Sequence, residues 1–402
     1  MSEWQTIRLG NIIKTNENTY SQKENWKYVN YLDTGNITKN KIEEIQNINT
    51  LTDKLPSRAK RKVKYNSIIY STVRPNQLHF GIIKEQSDNF LVSTGFVVID
   101  VDTNAAVPDY VYYILTQEEI VEHLHAIAEQ SVSTYPSIKK TDIENLVVLI
   151  PDIDTQKRIV SVLQTIDEKI ELNNKINNNL EEQAQAIFKS WFVDYDPFNN
   201  IMPNDWFAGN IEDLAQDIVC GKTPSTKNTD YYGSDIPFIT IPDMHGEVYN
   251  VATERYLSTL GAISQTKKFL PKNSVCVSCI GTAGLVTLVS EKSQTNQQIN
   301  SIIPKDGVSP YYIYLLMRTL KGTINKFGQS GSTIVNLNKT QFSKIQVIIP
   351  SISLMSKFDE IVYPMFEKIL QNQKEILRLS SLRDTLLPKL MSGEIDVSKI
   401  TI

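Results

Sequence analysis

An internal repeat limits what this chain can fold into more than any other feature. Residues 133 to 151, STYPSIKKTDIENLVVLIP, return at 332 to 350 as STIVNLNKTQFSKIQVIIP, a gapless shift of 199 positions in a chain of 402. Ser133-Thr134 becomes Ser332-Thr333, Lys140-Thr141 becomes Lys339-Thr340, and Pro151 becomes Pro350. Each copy then enters a long stretch of helical periodicity. A duplication of this size predicts two similar domains on two similar helices, performing one task at two places. Each copy, at about 200 residues, is long enough to bury its own core.

Within the first copy, Asn66-Ser67 leads into a strand over 68–73, and strands over 95–99 and 146–150 follow. Tyr110, Tyr113, Ile114, Ile120, Leu124 and Ile127 recur at helical spacing and predict a helix over 109–129. The second copy has matching pieces: Asn273-Ser274 before a strand at 275–277, a strand at 299–303, and a helix around 311–321. The fold class is therefore α+β, with domains over 1–151 and 201–350 and helical segments over 152–200 and 351–402.

From Thr155 to about Trp191, the residues Ile159, Leu163, Ile166, Ile170, Leu180, Ala184, Ile187 and Trp191 form one apolar stripe, with Asn173 and Asn177 set into it. Such a helix is roughly 55 Å long, more than one small domain can cover. Asp196-Pro197 and Pro203 mark its end and a linker. Phe358, Val362, Met365, Ile369, Ile376 and Leu379 continue into Leu382, Leu386 and Leu390 in the second copy, and Asn372 lies 199 positions after Asn173. A buried Asn in an apolar seam costs stability and is best explained as fixing register. The simplest partner for each helix is the other, in an antiparallel coiled coil holding a domain at each end; the alternative is two helices packed separately. Pro364 and Pro388 predict that the second helix is kinked or shorter than the first.

Motifs for chemistry are mostly missing. Gly221-Lys222-Thr223 has the tail of a P-loop, but Gln216 stands where its first glycine belongs. Asp196-Pro197-Phe198 resembles the amino-methyltransferase motif without its second proline, and reads as a helix stop. Cys276 and Cys279 have a zinc-like spacing, with Cys220 and His245 as possible further ligands, but on a strand they point to opposite faces. His123 and His125 do not face each other on a helix, and His79 stands alone. No apolar run reaches membrane-spanning length and the first residues lack a signal-peptide core; with three cysteines, this predicts a cytoplasmic protein.

The net charge of −4 argues against a surface uniformly coated for nucleic acid, so the distribution of charge decides. Lys54, Arg58, Lys60, Arg61, Lys62 and Lys64 crowd ahead of the 68–73 strand, which runs into Arg74-Pro75-Asn76. This reads as a phosphate clamp with base-reading side chains beside it, against the alternative of a solvated loop. The second copy offers a different set: Lys222, Thr223, Ser225, Asp243, Thr282, and Asn296-Gln297-Gln298. Asn and Gln suit adenine and Arg suits guanine; the Gln pair could equally brace a loop.

Together these features resemble the specificity subunit of type I restriction–modification systems across essentially the whole chain. The most specific pieces are LEEQAQAIFKSWFVDYDPF (180–198), LLPKLMSGEI (386–395), GKTPST (221–226), TNQQINSI (295–302) and the Ile-Pro exits at 150–151 and 349–350. The resemblance implies two target-recognition domains that each bind half of a split double-stranded DNA sequence, on a coiled coil that docks two modification subunits. It implies no catalysis by this chain: methylation with S-adenosylmethionine, and cleavage driven by ATP with Mg, would reside in methyltransferase and restriction/translocase partners. The expected DNA contacts are Arg58, Lys60, Arg61, Lys62, Lys64, Arg74, Asn76, Ser133 and Thr134 in the first domain. Those in the second are Lys222, Thr223, Ser225, Asp243, Thr282, Asn296, Gln297, Ser332 and Thr333. Asn173 and Asn372 are expected to set coil register, and Trp191 and Phe192 to dock a partner. A single-chain enzyme and a duplicated interaction scaffold without a DNA role are the competing readings. The first lacks a methyltransferase or nuclease motif; the basic segment and amide-rich loops count against the second.

Overall fold

The computed structural model describes residues 4–131, 135–328 and 335–400. The chain forms two compact units, Met1–Asp167 with Ser381–Ile402, and Glu168–Ser380. In the first, a four-stranded antiparallel sheet has the order Ile13–Thr15, Phe96–Val101, Ile68–Ser71, Phe80–Ile82. A second sheet runs Gln46–Asn49, Tyr28–Leu32, Phe90–Ser93, Ala59–Lys62, and Gln5–Arg8 pairs with Val147–Ile150. The predicted single helix over 109–129 is two, Pro108–Thr116 and Glu118–Glu129. Gln117 between them is extended at φ −61°, ψ 138°, and its carbonyl accepts from the Val121 amide, which opens the second helix. The break lets each piece bury its own stripe, Tyr110, Val111 and Ile114 in one and Val121, Leu124 and Ala128 in the other.

The second unit repeats the frame. Ala215–Cys220, Ile299–Pro304, Val275–Ser278 and Val286–Val289 follow the same strand order, with Tyr249–Asn250 added at the edge. Phe207–Asn210 pairs with Gln346–Ile349 as Gln5–Arg8 pairs with Val147–Ile150. A separate three-stranded sheet orders Tyr256–Leu257, Tyr232–Ile239 and Gln294–Thr295. The turn into each central strand uses the same device: Asn66 (φ 68°) and Asn273 (φ 66°) both adopt the left-handed conformation. Asn tolerates that region because its short amide can bond locally.

Both long helices contain 40 residues, Ile153–Phe192 and Ile352–Met391. They pair antiparallel as a coiled coil. Inside the first unit, Ile159, Val160 and Leu163 share a core with Leu387, Leu390 and Met391, and Arg383 bonds Asp167 at 3.0 Å. Inside the second, Asn372 Nδ2 donates to Asn177 Oδ1 at 2.8 Å and Asn173 Nδ2 to Glu375 Oε2 at 3.0 Å. The two repeat-related amides Asn173 and Asn372 therefore do not meet; each finds a different polar partner. The second helix is neither shorter than the first nor interrupted at its prolines. Pro364 and Pro388 lie on its exposed side, where water can bond the carbonyls each proline deprives of an amide partner.

Candidate nucleic-acid interface

In the first unit the basic segment is partly a strand, Ala59–Lys62, at the edge of its sheet. Ala59 is buried and Lys60 faces out, the alternation a half-covered strand requires. Two of the expected cations are engaged within the fold. Lys62 pairs with Glu24, holding that carboxyl below its usual range, and lies 5.0 Å over the Trp26 ring. Lys64 lies 3.3 Å from Asp100, which also accepts from Ser67 Oγ at 2.6 Å. Arg61 is half-buried with its Nε unbonded. Lys54, Arg58 and Lys60 are exposed and have no ion-pair partner among the described residues. The outward charge of this face is therefore smaller than the run of six cations suggests.

Backbone hydrogen bonds connect this strand to the Arg74 turn. Thr94 N donates to Arg58 O at 2.8 Å, Thr72 N to Gly95 O at 2.8 Å, and Arg74 N to Pro136 O at 3.1 Å. The turn is a single 3-10 segment, Pro75–Gln77, between Arg74 (φ 47°) and Leu78 (φ 59°), both left-handed. Pro75 is buried beneath it, leaving Arg74, Asn76 and Gln77 exposed. Arg74 lies 6.0 Å over the Tyr135 ring. Its neighbour His79, which has no counterpart motif in the sequence, braces the turn: Nδ1 lies 2.6 Å from Ile37 O. Ser133, Thr134, Ser332 and Thr333 lie outside the described residues.

In the second unit, three loops converge: 221–226, 279–284 and 295–298. Gly221 is required by close packing, since a Cβ there would sit 2.1 Å from Asn296 O. Lys222 N then donates to Thr295 O at 2.9 Å, and Thr223 Oγ1 to Gln297 Oε1 at 2.7 Å. Lys222, Ser225, Thr282 and Gln297 are exposed.

Two expected readers are committed to the fold instead. Asp243 accepts from Thr240 N and Oγ1 and from Glu254 N, so both carboxylate oxygens tie loops together. Asn296 is buried; its Nδ2 donates to Gln298 Oε1 and its Oδ1 accepts from Gln298 N. The Thr240–Asp243 and Asn296–Gln298 bonds close local turns, while the bond from Glu254 N ties Asp243 to a separate segment.

The docking assignment also changes. Phe192 is 7 % exposed, enclosed by Trp206, Tyr312 and Phe358, so it is core of the second unit and offers a partner almost no surface. Trp191 is half-buried against Phe358. Cys276 and Cys279 lie in two separate hydrophobic cores, and burial pushes both thiols up to about 12. They cannot grip one ion. Among the described residues no three His, Cys, Asp or Glu side chains come together as a metal site. No described helix is long and apolar enough to cross a membrane.

The chain is similar to known proteins in sequence and in fold. The family model for the type I restriction modification DNA specificity domain matches residues 1–182 and again 203–378. The HindI type I restriction enzyme specificity subunit of Haemophilus influenzae is 35% identical over 465 residues, covering 98% of this chain and 100% of that protein. The MjaIX specificity subunit of Methanocaldococcus jannaschii is 27% identical over 313 residues, 74% of this chain and 71% of that one. The type I restriction–modification S subunit from M. genitalium shares the fold at a TM-score of 0.60 and 15% identity, over 97% of this chain and 96% of that one.

Proposed function

The chain belongs to the type I restriction modification DNA specificity family, and on that premise we propose that each of its two domains reads one half of an asymmetric, split DNA site. One observation carries this reading: the two frames share their hydrogen bonds and differ in what they expose. Arg74 N bonds Pro136 O as Gly281 N bonds Val335 O, both at 3.1 Å, and Ile138 N bonds Thr72 O as Leu337 N bonds Cys279 O. On these matched scaffolds the first domain exposes Arg58, Lys60, Arg74 and Asn76, and the second Lys222, Ser225, Thr282 and Gln297. Unlike polar sets on like frames suit unlike half-sites, the Lys and Arg residues taking phosphates and the Arg and amide side chains taking base edges.

The chain acts with partners and performs no chemistry itself. Two modification subunits supply methyl transfer from S-adenosylmethionine, and restriction/translocase subunits supply ATP- and Mg-dependent cleavage, in the cytoplasm. The long helices dock the methyltransferases through exposed apolar side chains such as Leu172 and Leu377, which are about half exposed. Selection of bound DNA from random pools by the assembled complex should return two unlike half-sites at a fixed spacing. A palindrome, or no sequence preference, would overturn the reading. Methyl transfer to DNA by the purified chain alone, with labelled S-adenosylmethionine, would overturn the non-catalytic assignment.

A further inference from the structure

Hydrogen bonds align the two domains residue by residue where the repeat in sequence has already lost register. Arg74 and Gly281 each donate their amide to the matched carbonyl, Pro136 O and Val335 O. Thr72 N bonds Gly95 O and Cys279 N bonds Gln298 O, both at 2.8 Å. Gly95 of the first domain is thus the counterpart of Gln298 in the second, as Arg74 is of Gly281. At these two adjacent positions the long side chain and the glycine have changed places.

The exchange is complementary in space. Arg74 and Gly281 both hold the left-handed conformation, φ 47° and φ 76°. A Cβ on Gly281 would meet nothing but Gln298 Nε2, at 3.9 Å. The Gln298 amide therefore reaches over the site from which Arg74 projects in the other domain. Its Oε1 accepts from Asn296 Nδ2 at 3.0 Å, which orients it, and its Nε2 has no hydrogen-bond partner among the described residues. In the first domain the reverse position is occupied by Thr34: a Cβ on Gly95 would sit 2.8 Å from Thr34 Cγ2, so a side chain there would have to displace it.

We infer that Arg74 and Gln298 are the matched specificity-determining residues of the two domains, reading the same relative position of each half-site from neighbouring loops. The inference rests on the proposed function and adds the residues and the base each takes. An Arg fork fits the O6 and N7 acceptors of guanine; a primary amide fits N6 and N7 of adenine. The Arg74 site should therefore take a guanine and the Gln298 site an adenine.

The test is selection of bound DNA by the assembled methyltransferase complex, carrying the wild-type chain, Arg74→Ala, Arg74→Lys, Gln298→Ala or Gln298→Glu. Arg74→Ala should relax discrimination by roughly 5- to 150-fold at one base pair of one half-site, leaving the other half intact. Arg74→Lys should do the same while keeping the salt dependence, since it retains the charge and loses the fork. Gln298→Ala should relax one base pair in the other half only. Should that variant fail to assemble, Gln298→Glu keeps the acceptor for Asn296 and should shift preference from adenine towards cytosine, whose N4 amino group it can accept. Unchanged base preferences, or a loss spread equally over all sequences, would overturn the inference. A wild-type complex that selects no bipartite site would overturn the proposed function instead.

Discussion

Arg74 sits where its twin domain has glycine, and that placement has a measurable cost. A side chain held at φ 47°, ψ 70° loses about 1–2 kcal/mol to the clash between Cβ and backbone. Glycine removes that clash but adds unfolded-state freedom worth about 0.5–1 kcal/mol. Arg74→Ala keeps the clash and removes the same guanidinium, including its stacking on Tyr135, so it is the proper control. Arg74→Gly should then be more stable than Arg74→Ala by about 0.5–1 kcal/mol, or roughly 1–4 °C in the melting of a unit this size. The mirror change, Gly281→Ala, should destabilise by a similar amount through its left-handed φ of 76° alone, since beyond its chain neighbours the added Cβ would meet only Gln298 Nε2, at 3.9 Å. Calorimetry on the full chain decides the matter, alongside DNA binding by the assembled complex, which both Arg74 variants should weaken. If Arg74→Gly melts at or below Arg74→Ala, the strain argument is wrong. If both variants bind DNA as the wild type does, the strain serves no recognition.

Asn372→Ala should cost about 1–3 kcal/mol by leaving the Asn177 amide without its partner, whereas Asn177→Leu with Asn372→Leu should recover most of that; a double variant weaker than the single in urea titration would count against a register role. Replacing Arg58 or Lys60 with Ala should weaken binding to every sequence and flatten the salt dependence by about 0.9 for each phosphate no longer neutralised, while Lys62→Ala, already paired with Glu24, should leave the salt slope unchanged. Cys276 and Cys279 keep their protons up to about 12 in the fold but ionise near about 8.5 once unfolded. Their contribution to stability is thus complete below that ordinary value and is lost as pH rises towards 12. In the native chain at pH 8 an alkylating reagent should label Cys220 alone, and labelling of all three would refute their burial.

The sequence reveals the parts of the fold that repeat over long distances. An apolar stripe of 40 residues has one physical reading, and two such stripes with inset amides have few others. Short elements governed by tertiary partners are not legible in this way. Ala59–Lys62 has one apolar residue in four, so nothing marks it as a strand until its neighbour Phe90–Ser93 supplies the hydrogen bonds. Lys62, Lys64 and Asp243 read as surface chemistry because Glu24, Asp100 and Glu254 become their partners only after folding, whereas Asn296 is buried with its bonds made to Gln298 two residues along. The Arg74–Gly281 correspondence is hidden for a related reason. Loop lengths differ between the copies, so the offset of 199 between 133 and 332 has drifted by the time the chain is traced back to residue 74.

The core of the first unit contains Leu387, Leu390, Met391 and Val397, along with Leu163 and residues as early as Leu9. During synthesis its opening 167 residues must wait for the stretch from Ser381 onwards, with the whole of the second unit made in between. At ordinary elongation rates of about 5–20 residues per second, that delay is on the order of 10–40 s. Through that interval the apolar side chains that later receive Leu387 and Leu390 have no native cover. The second unit, whose residues run unbroken from Glu168 to Ser380, can close first. The core of the first unit is therefore the last to be completed although its chain is made first, and the nascent first unit is the stage at which a holding chaperone would matter most.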